Sequence, residues 1–384
     1  MLPLVDPGPA LPPERIARYS RQLMLPGFGE LAQRRLAAAR VLVIGAGGLG
    51  SAVVPALAAA GVGTIGVADD DRVELSNLHR QLSHGVADLG RPKVDSLADA
   101  VRAIDPDCDL RRHGERITAA TLPGILGDYD LVIDGSDNFP TRYLVNDAAD
   151  LAGKPLVWGS ILRFHGQVGI AWRGHGPTYR DLFPAPPPSD QALSCELGGV
   201  LPSLCTAVGS FLVTEAIKLV TGIGEPLLGR VLFYDALTAR TREVPYQQIT
   251  DPVAGLVDDE LFCGADGPDD PVGAELSAAE LLRMLRGGDP VRLVDVREPH
   301  ESAARRISGS EELPLARIEA GDVPVDGSLV VVYCERDPRS RKAVHLLRGR
   351  GLDARFLAGG IRAFVDVGGE VVGAGVGAEA EASV

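Results

Sequence analysis

One stretch, Arg40 to Lys93, constrains the fold more than any other: RVLVIGAGGLGSAVVPALAAAGVGTIGVADDDRVELSNLHRQLSHGVADLGRPK. Val41 to Ile44 is a short apolar, β-branched run and reads as a buried strand. Gly45, Gly47 and Gly50 follow in G-x-G-x-x-G spacing, with Gly48 between them. Ser51 to Ala60 is an alanine-rich helix closed by Gly61 and Gly63. A second strand, Thr64 to Ala68, ends in Asp69, Asp70 and Asp71. Strand, glycine turn, helix, strand and terminal acid make a nucleotide-binding βαβ unit. The glycines allow a tight turn and a close backbone approach to phosphate. The helix N-terminus then offers free N–H groups and a positive dipole end.

The residues that follow narrow the chemistry. Ser76, Asn77, Arg80 and Gln81 come directly after the acids, and Lys93 lies in GRPKV. A dehydrogenase needs an apolar nicotinamide pocket at this place. Amide, arginine and lysine converging on phosphates suit a site that handles ATP, whose departing pyrophosphate carries large negative charge.

Further along, strands are expected at Asp109–Arg112, Leu131–Asp134, Pro155–Ile161 and Gly166–Ala171, with the last opening an antiparallel half. Helices are expected at Val94–Ile104, Thr118–Leu126, Thr141–Ala152 and Leu204–Thr221. Leu131–Asp134 runs into Gly135-Ser136-Asp137-Asn138, a polar strand end of the kind that binds ligands in open α/β sheets. Pro12 to Ala39 is helical in pieces, and Arg18 and Arg21 share a face if that piece is a continuous helix. Residues 174–202, rich in Pro and Gly, form a long irregular loop holding Cys195, and a hairpin follows at 230–244.

A Gly-, Asp- and Pro-rich linker separates a second αβ segment of ordinary domain size. In it Cys334 follows the apolar strand LVVVY and opens the loop CERDPRS, with Arg339 five residues on and a helix after it. A thiolate at a strand end, facing backbone N–H groups and a helix N-terminus, is stabilised and nucleophilic. It can carry a sulfane sulfur. The tail after Gly368 is expected to fray.

The formal net charge of −14 argues against nucleic-acid binding. Five widely spaced cysteines do not form a disulfide framework. No secretory n- and h-region and no charge-free run of about 20 apolar residues is present, so a cytoplasmic protein without a membrane span is expected.

The set RYSRQ, GAGGLGS, DDDRVELSNLHRQ, GRPKV, GSDN and GSFLVTEAIKLVTG resembles the E1-like adenylyltransferases that activate ubiquitin-like sulfur carrier proteins in molybdopterin and thiamine biosynthesis. The C-terminal segment resembles a rhodanese domain. Together they look like the fused adenylyltransferase/sulfurtransferase type. The expected architecture is α/β: a Rossmann-like doubly wound sheet with an antiparallel extension over residues 14–250, a linker at 251–274, and a small rhodanese-like α/β domain at 275–368.

The resemblance implies that ATP adenylates the C-terminal Gly-Gly of a carrier protein, and that a sulfur donor, persulfide or thiosulfate, then gives a thiocarboxylate. It implies roles for individual residues. Gly45, Gly47, Gly48 and Gly50 frame the nucleotide, Gly48 letting the backbone approach ATP. Asp69, with Asp71 nearby, accepts from ribose hydroxyls. Ser76, Asn77 and Arg80 belong to the phosphate-holding segment, and Lys93 neutralises charge at the α-phosphate. Asp137 holds Mg²⁺, with Asn138 beside it. Arg21 is an arginine finger reaching into the partner's site of a homodimer. Cys334 and Arg339 form the sulfur-transfer loop, and Cys195 is a candidate for a covalent link to the carrier.

Two departures stand out. Where many relatives bind zinc through two C-x-x-C pairs, this chain has Thr178-Tyr179-Arg180-Asp181 and a lone Cys263, so no zinc is expected and packing must hold those segments. Asp337 and Pro338 put a negative charge, and remove an N–H donor, beside Cys334. Two other classes remain open at this point. One is a NAD-dependent oxidoreductase with a rhodanese-like regulatory module, against which the 76–93 segment argues. The other is an adenylyltransferase whose rhodanese fold only docks a carrier.

Overall fold

The computed structural model describes residues 2–186, 199–256, 273–323, 329–335 and 337–373. The chain divides into two compact units, Met1–Cys263 and Gly264–Val384, and each is described by itself.

In the first unit, helices α1 (Pro13–Arg18), α2 (Ser20–Leu23) and α3 (Gly29–Ala38) precede strand β1 (Arg40–Ile44). Then come α4 (Gly50–Ala60), β2 (Thr64–Ala68), α5 (Lys93–Ile104), β3 (Asp109–His113), α6 (Leu122–Gly127), β4 (Leu131–Asp134) and α7 (Phe139–Leu151). The unit closes with β5 (Leu156–Leu162), β6 (His165–Ala171), α8 (Tyr179–Leu182), α9 (Pro202–Thr221), β7 (Arg230–Asp235) and β8 (Arg240–Pro245). The strands form one sheet in the order β3-β2-β1-β4-β5-β6-β7-β8. From β3 to β5 every pairing is parallel, and from β5 to β8 every pairing is antiparallel. This is the doubly wound sheet with an antiparallel extension expected from the sequence.

Burial on both faces explains the continuous apolar strands. Val41 and Val43 of β1 enter one core with α4, α5 and α9, while Leu42 and Ile44 enter another with α6 and α7. Alternate side chains of one strand thus serve two cores, as a sheet covered by helices on both sides requires. Helix α9 is long and apolar enough to cross a membrane by length and composition, but most of it is buried, packed on α4, β5 and β6. Its two charges pair with each other, Lys218 with Glu215, and Glu215 also accepts from Leu227 N at 2.9 Å.

The second unit runs β9 (Glu275–Leu276), α10 (Ala278–Gly287), β10 (Val291–Asp295), α11 (Pro299–Ala304), β11 (Arg306–Ile307), β12 (Glu311–Glu312) and α12 (Leu315–Glu319). It continues with β13 (Leu329–Tyr333), α13 (Pro338–Gly349), β14 (Ala354–Leu357), α14 (Gly360–Asp366) and β15 (Val371–Val372). Five strands form a parallel sheet in the order β12-β10-β13-β14-β9. Val330 and Val332 of β13 face one core, Val331 and Tyr333 the other.

Three local expectations are corrected. The helix expected from Thr118 begins at Leu122, because Thr118 and Thr121 close a turn through mutual hydroxyl–backbone bonds of 3.0 and 3.2 Å. The helix carrying Arg18 and Arg21 breaks at Tyr19, so the two arginines sit on separate short helices. After Gly368 the chain does not fray at once, since β15 pairs antiparallel with β11.

Candidate active site

The chain runs β1 to β2 to β3 toward one edge, then returns to place β4 on the other side of β1. Ile44 lies opposite both Ala68 and Asp134. The glycine loop, the Asp69–Asp71 turn and the Gly135–Asn138 turn therefore leave the carboxyl ends of three adjacent parallel strands. That is the switch-point crevice where open α/β sheets bind ligands.

The glycine loop is built for approach. Gly45 has φ +90°, and a Cβ on Gly50 would lie 1.9 Å from Gly45 O. Only glycine fits both places. Gly47 N and Gly48 N have no protein acceptor among the described residues. The missing Cβ of Gly48 also makes room for Cys205, whose Sγ would lie 2.8 Å away. Cys205 is fully buried, and burial pushes its thiol up against the opposing pull of Arg80.

Asp69 holds this loop. Its Oδ2 accepts from Ala46 N at 2.7 Å and its Oδ1 from Asp71 N at 2.9 Å. Burial pushes the carboxyl above its usual range, although the Lys93 ammonium and the two N–H bonds pull it down. Lys93 is buried and pairs with Asp71 at 2.8 Å, so in this structure its charge is already compensated. Asn77 Oδ1 accepts from Glu74 N at 3.0 Å and closes a short 3₁₀ turn at Leu75–Asn77. Exposed Ser76 presents its carbonyl to Arg80, which donates at 2.9 Å.

On the β4 side, Asp137 is exposed. Asn138 caps α7, accepting from Thr141 N at 2.9 Å. That carbonyl oxygen satisfies a helix-terminal donor. Buried Arg142 ties the turn to β5, donating to Ser136 O at 2.7 Å and Gly159 O at 2.9 Å. Three buried polar atoms here lack a protein partner: Gln81 Oε1, Asp134 Oδ2 and Ser136 Oγ. Gln81 faces Gly47 through its amide nitrogen. Orphaned buried polar atoms are rare in folded proteins, and a polar ligand in this crevice would explain them. Arg142, Asp134 and His84 carried no role in the sequence analysis. Gln81 was visible there only as part of a motif.

Arg21 is exposed and makes no hydrogen bond or ion pair with the described residues. Neighbouring Arg18 differs, bonding Ile104 O and lying 3.8 Å from Asp105.

The segments at 178–181 and 249–250, where no zinc was expected, are joined by Asp181. Its Oδ2 accepts from Thr178 N and Oγ1 at 2.6 and 3.0 Å, and its Oδ1 from Ile249 N, Thr250 N and Thr250 Oγ1 at 2.7, 2.6 and 2.7 Å. Packing alone was expected there, and a carboxylate with five donors does the joining. Burial acts to raise the Asp181 carboxyl, but these bonds outweigh it and hold it below its usual range. Among the described residues no group of His, Cys, Asp and Glu converges as a metal cage. Cys263 and Cys195 lie outside the described residues.

In the second unit Cys334 directly follows β13 and is buried, its Sγ 3.5 Å from Ser340 Oγ. Ser340 Oγ also donates to Asp337 O at 2.9 Å. A hydroxyl has one proton, so it serves a thiolate only by turning away from that carbonyl. The Asp337 carboxylate is itself occupied, accepting from Gly359 N at 2.7 Å. Arg339 donates to both Glu301 oxygens at 2.6 and 2.8 Å. Burial works to lower the guanidinium's pKa, but Glu301 and the nearby Cys334 raise it overall. Asp295 and Arg297 pair at 2.9 and 2.7 Å, and Arg297 reaches Glu335 at 3.1 Å. Glu335 also accepts from Arg305 and Arg362 at 2.8 and 3.0 Å. The roles of Glu301, Glu335 and Ser340 appear only in three dimensions.

Comparison with known proteins follows the same division. A model of the ThiF family matches residues 19–252, and one of the rhodanese-like domain matches residues 277–366. The probable adenylyltransferase/sulfurtransferase MoeZ of Mycobacterium tuberculosis is 47% identical over 376 residues, covering 94% of this chain and 96% of its own. The adenylyltransferase and sulfurtransferase MOCS3 of Sus scrofa is 39% identical over 378 residues, 90% of this chain and 83% of its own. A sulfur carrier protein adenylyltransferase of Thermus thermophilus is 47% identical over 264 residues, 65% of this chain and 97% of its own. Among solved structures, Escherichia coli MccB with MccA-N7isoASN superposes with a TM-score of 0.54 at 19% identity, over 60% of this chain and 72% of that one. The selenomethionine form of PaaA does so with a TM-score of 0.54 at 23% identity, over 62% and 76%. These two structures share the fold.

Proposed function

The chain belongs to the ThiF family and continues into a rhodanese-like domain, and from that premise we propose that it adenylates a ubiquitin-like sulfur carrier protein with ATP and transfers sulfur to it. One observation carries the reading. A phosphate-receptive switch-point crevice and a buried-cysteine loop occur in one chain, and adenylyltransferase/sulfurtransferases match that chain over nearly its whole length. A nicotinamide enzyme with a rhodanese-like module, or an adenylyltransferase with an inert rhodanese fold, has no such relative among these matches.

The chemistry runs in two stages. A carboxylate oxygen of the carrier's C-terminal glycine attacks the α-phosphorus of ATP, and the bond to the β-phosphate breaks as pyrophosphate leaves. Gly47 and Gly48 N–H groups, Arg80 and Lys93 receive the phosphates. Asp69 and Asp71 face the ribose, and Ser76 and Asn77 shape the phosphate segment. Asp137, exposed at the mouth, is the residue that would hold Mg²⁺, which supplies charge neutralisation on the phosphates when bound. Arg21 completes the site of a second copy in a homodimer, a reading supported by its exposure and its lack of partners among the described residues.

In the second stage a persulfide on Cys334 attacks the acyl carbon. AMP leaves with the electrons of the carbon–oxygen bond, and an acyl disulfide remains. An external thiol reductant attacks the Cys334 sulfur, the thiocarboxylate departs, and a second equivalent of thiol frees Cys334 from the mixed disulfide that is left. Cys195 is the candidate for a covalent link to the carrier. Arg339 lies near enough to stabilise the Cys334 thiolate by charge. A persulfide or thiosulfate supplies the sulfur. Free Cys108, Cys205 and Cys334 suit a reducing cytoplasm.

The test is ATP–pyrophosphate exchange with a panel of purified Gly-Gly carriers, each followed by intact mass. Carrier-dependent exchange with conversion to a thiocarboxylate is expected. Exchange without sulfur incorporation would leave an adenylyltransferase alone, and no exchange with any carrier would overturn the reading.

A further inference from the structure

We propose that His84 is a positioning residue for ATP: it fixes the peptide that aims Gly47 N–H into the nucleotide crevice. This rests on the ATP reading of that crevice. His84 is 5% exposed, lying behind the glycine loop on the segment that follows Asn77 and Arg80. Its Nδ1 is 2.9 Å from Ser96 Oγ on α5, and its Nε2 is 3.0 Å from Ala46 O in the loop. A carbonyl oxygen only accepts, so Nε2 carries a proton and donates to Ala46.

The consequence follows from peptide geometry. Every peptide here is trans, so the Ala46 carbonyl and the Gly47 N–H point in opposite directions. With the carbonyl held inward on His84, the Gly47 N–H is turned away from the protein interior, and it finds no protein acceptor among the described residues. The preceding peptide is held as well, because Ala46 N donates to Asp69 Oδ2 at 2.7 Å. Ala46 is thus gripped at both ends, by His84 and Asp69, and the next N–H is left for a phosphate. Outward N–H groups ahead of a helix N-terminus form an anion seat only when their peptide planes are fixed. His84 is the joint that connects three sequence motifs: the glycine loop through Ala46, the SNLHRQ segment that leads into it, and the GRPKV helix through Ser96.

The experiment measures steady-state exchange with varied ATP and varied carrier for the full-length enzyme. His84→Ala is expected to raise the KM for ATP about tenfold and to lower kcat, as loss of one aimed hydrogen bond implies, with the carrier KM held within about twofold. His84→Gln, whose side-chain amide can donate to Ala46 O, is expected to restore most of the ATP affinity. His84→Met, similar in length and without a donor, is not. A His84→Ala enzyme with lower kcat but unchanged ATP KM would show a role in folding only and overturn the proposal. Should that variant not fold, equal ATP KM values for the Gln and Met enzymes overturn it. No exchange by the wild-type enzyme in the same assay would bring down the function reading itself, and that result is distinguishable from either variant outcome.

Discussion

The two chemical centres of this chain treat charge in opposite ways. In the adenylation unit several polar groups at the crevice are left open among the described residues: the Gly47 and Gly48 N–H donors, the acceptor oxygens Gln81 Oε1 and Asp134 Oδ2, and the Ser136 hydroxyl, while Lys93 is paired, with Asp71. Around Cys334 four arginines already have carboxylate partners. Arg297 meets Asp295 and Glu335, Arg339 meets Glu301, and Arg305 and Arg362 meet Glu335. A site that must receive a polyanion keeps donors unpaired until the ligand arrives. A site whose nucleophile belongs to the protein can be ordered in advance by internal pairs.

The largest effect should come from Cys334→Ala, which is expected to stop thiocarboxylate formation completely while pyrophosphate exchange stays within about twofold of wild type. Loss of both activities would show that the two centres are not chemically separable. Next, Asp137→Ala should lower exchange by about 10²–10³-fold, the range typical of losing one charge-stabilising group in a site. Persulfide loading of Cys334, followed by mass, should be untouched. Near-native exchange would remove Asp137 from the metal assignment.

A third prediction concerns Asp181, which belongs to neither centre. Its alanine variant leaves five donors without their acceptor and should lose about 3 kcal/mol of stability in denaturant unfolding. The sign with pH is fixed by the lowered folded pKa. Stability from this carboxylate is present above the unfolded value of about 3.9 and is lost as pH falls through the depressed folded value. Below about pH 4 the wild-type advantage over Asp181→Ala should therefore shrink, and a constant gap from pH 7 down to about pH 2 would refute the joint.

The smallest effect probes the floor of the open site. Gly48→Ala presses a methyl against Cys205 Sγ and should cost about 1–3 kcal/mol by overpacking. Cys205→Ala in the same chain should recover most of it. Failure of the second substitution to help would mean that the clash is relieved elsewhere.

Much of this was legible before any coordinates. β-branched runs marked β1, β2 and β4 because strands buried on both faces need apolar side chains on both. The glycine spacing marked the loop because Gly45 and Gly50 occupy conformations or contacts closed to other residues. Other features were not legible. The Thr118–Thr121 turn is local competition between hydroxyl and backbone that periodicity does not register. The capping bond of Asn138 was hidden because its position in GSDN reads equally as part of a site and as a helix cap. Asp181 looked like a missing cysteine, since its donors at 249–250 are nearly seventy positions away in the chain.

Local chemistry thus determined the two αβ units, the glycine loop and the cysteine placed after an apolar strand, because each depends on residues within a few turns of one another. Tertiary structure alone decided which charges remain free. Lys93 is taken by Asp71, Arg339 by Glu301 and the Ala46 carbonyl by His84, while Arg21 and the Gly47 N–H are left open among the described residues. Pairing of this kind is settled by distances between segments far apart in sequence, and no spacing along the chain encodes it.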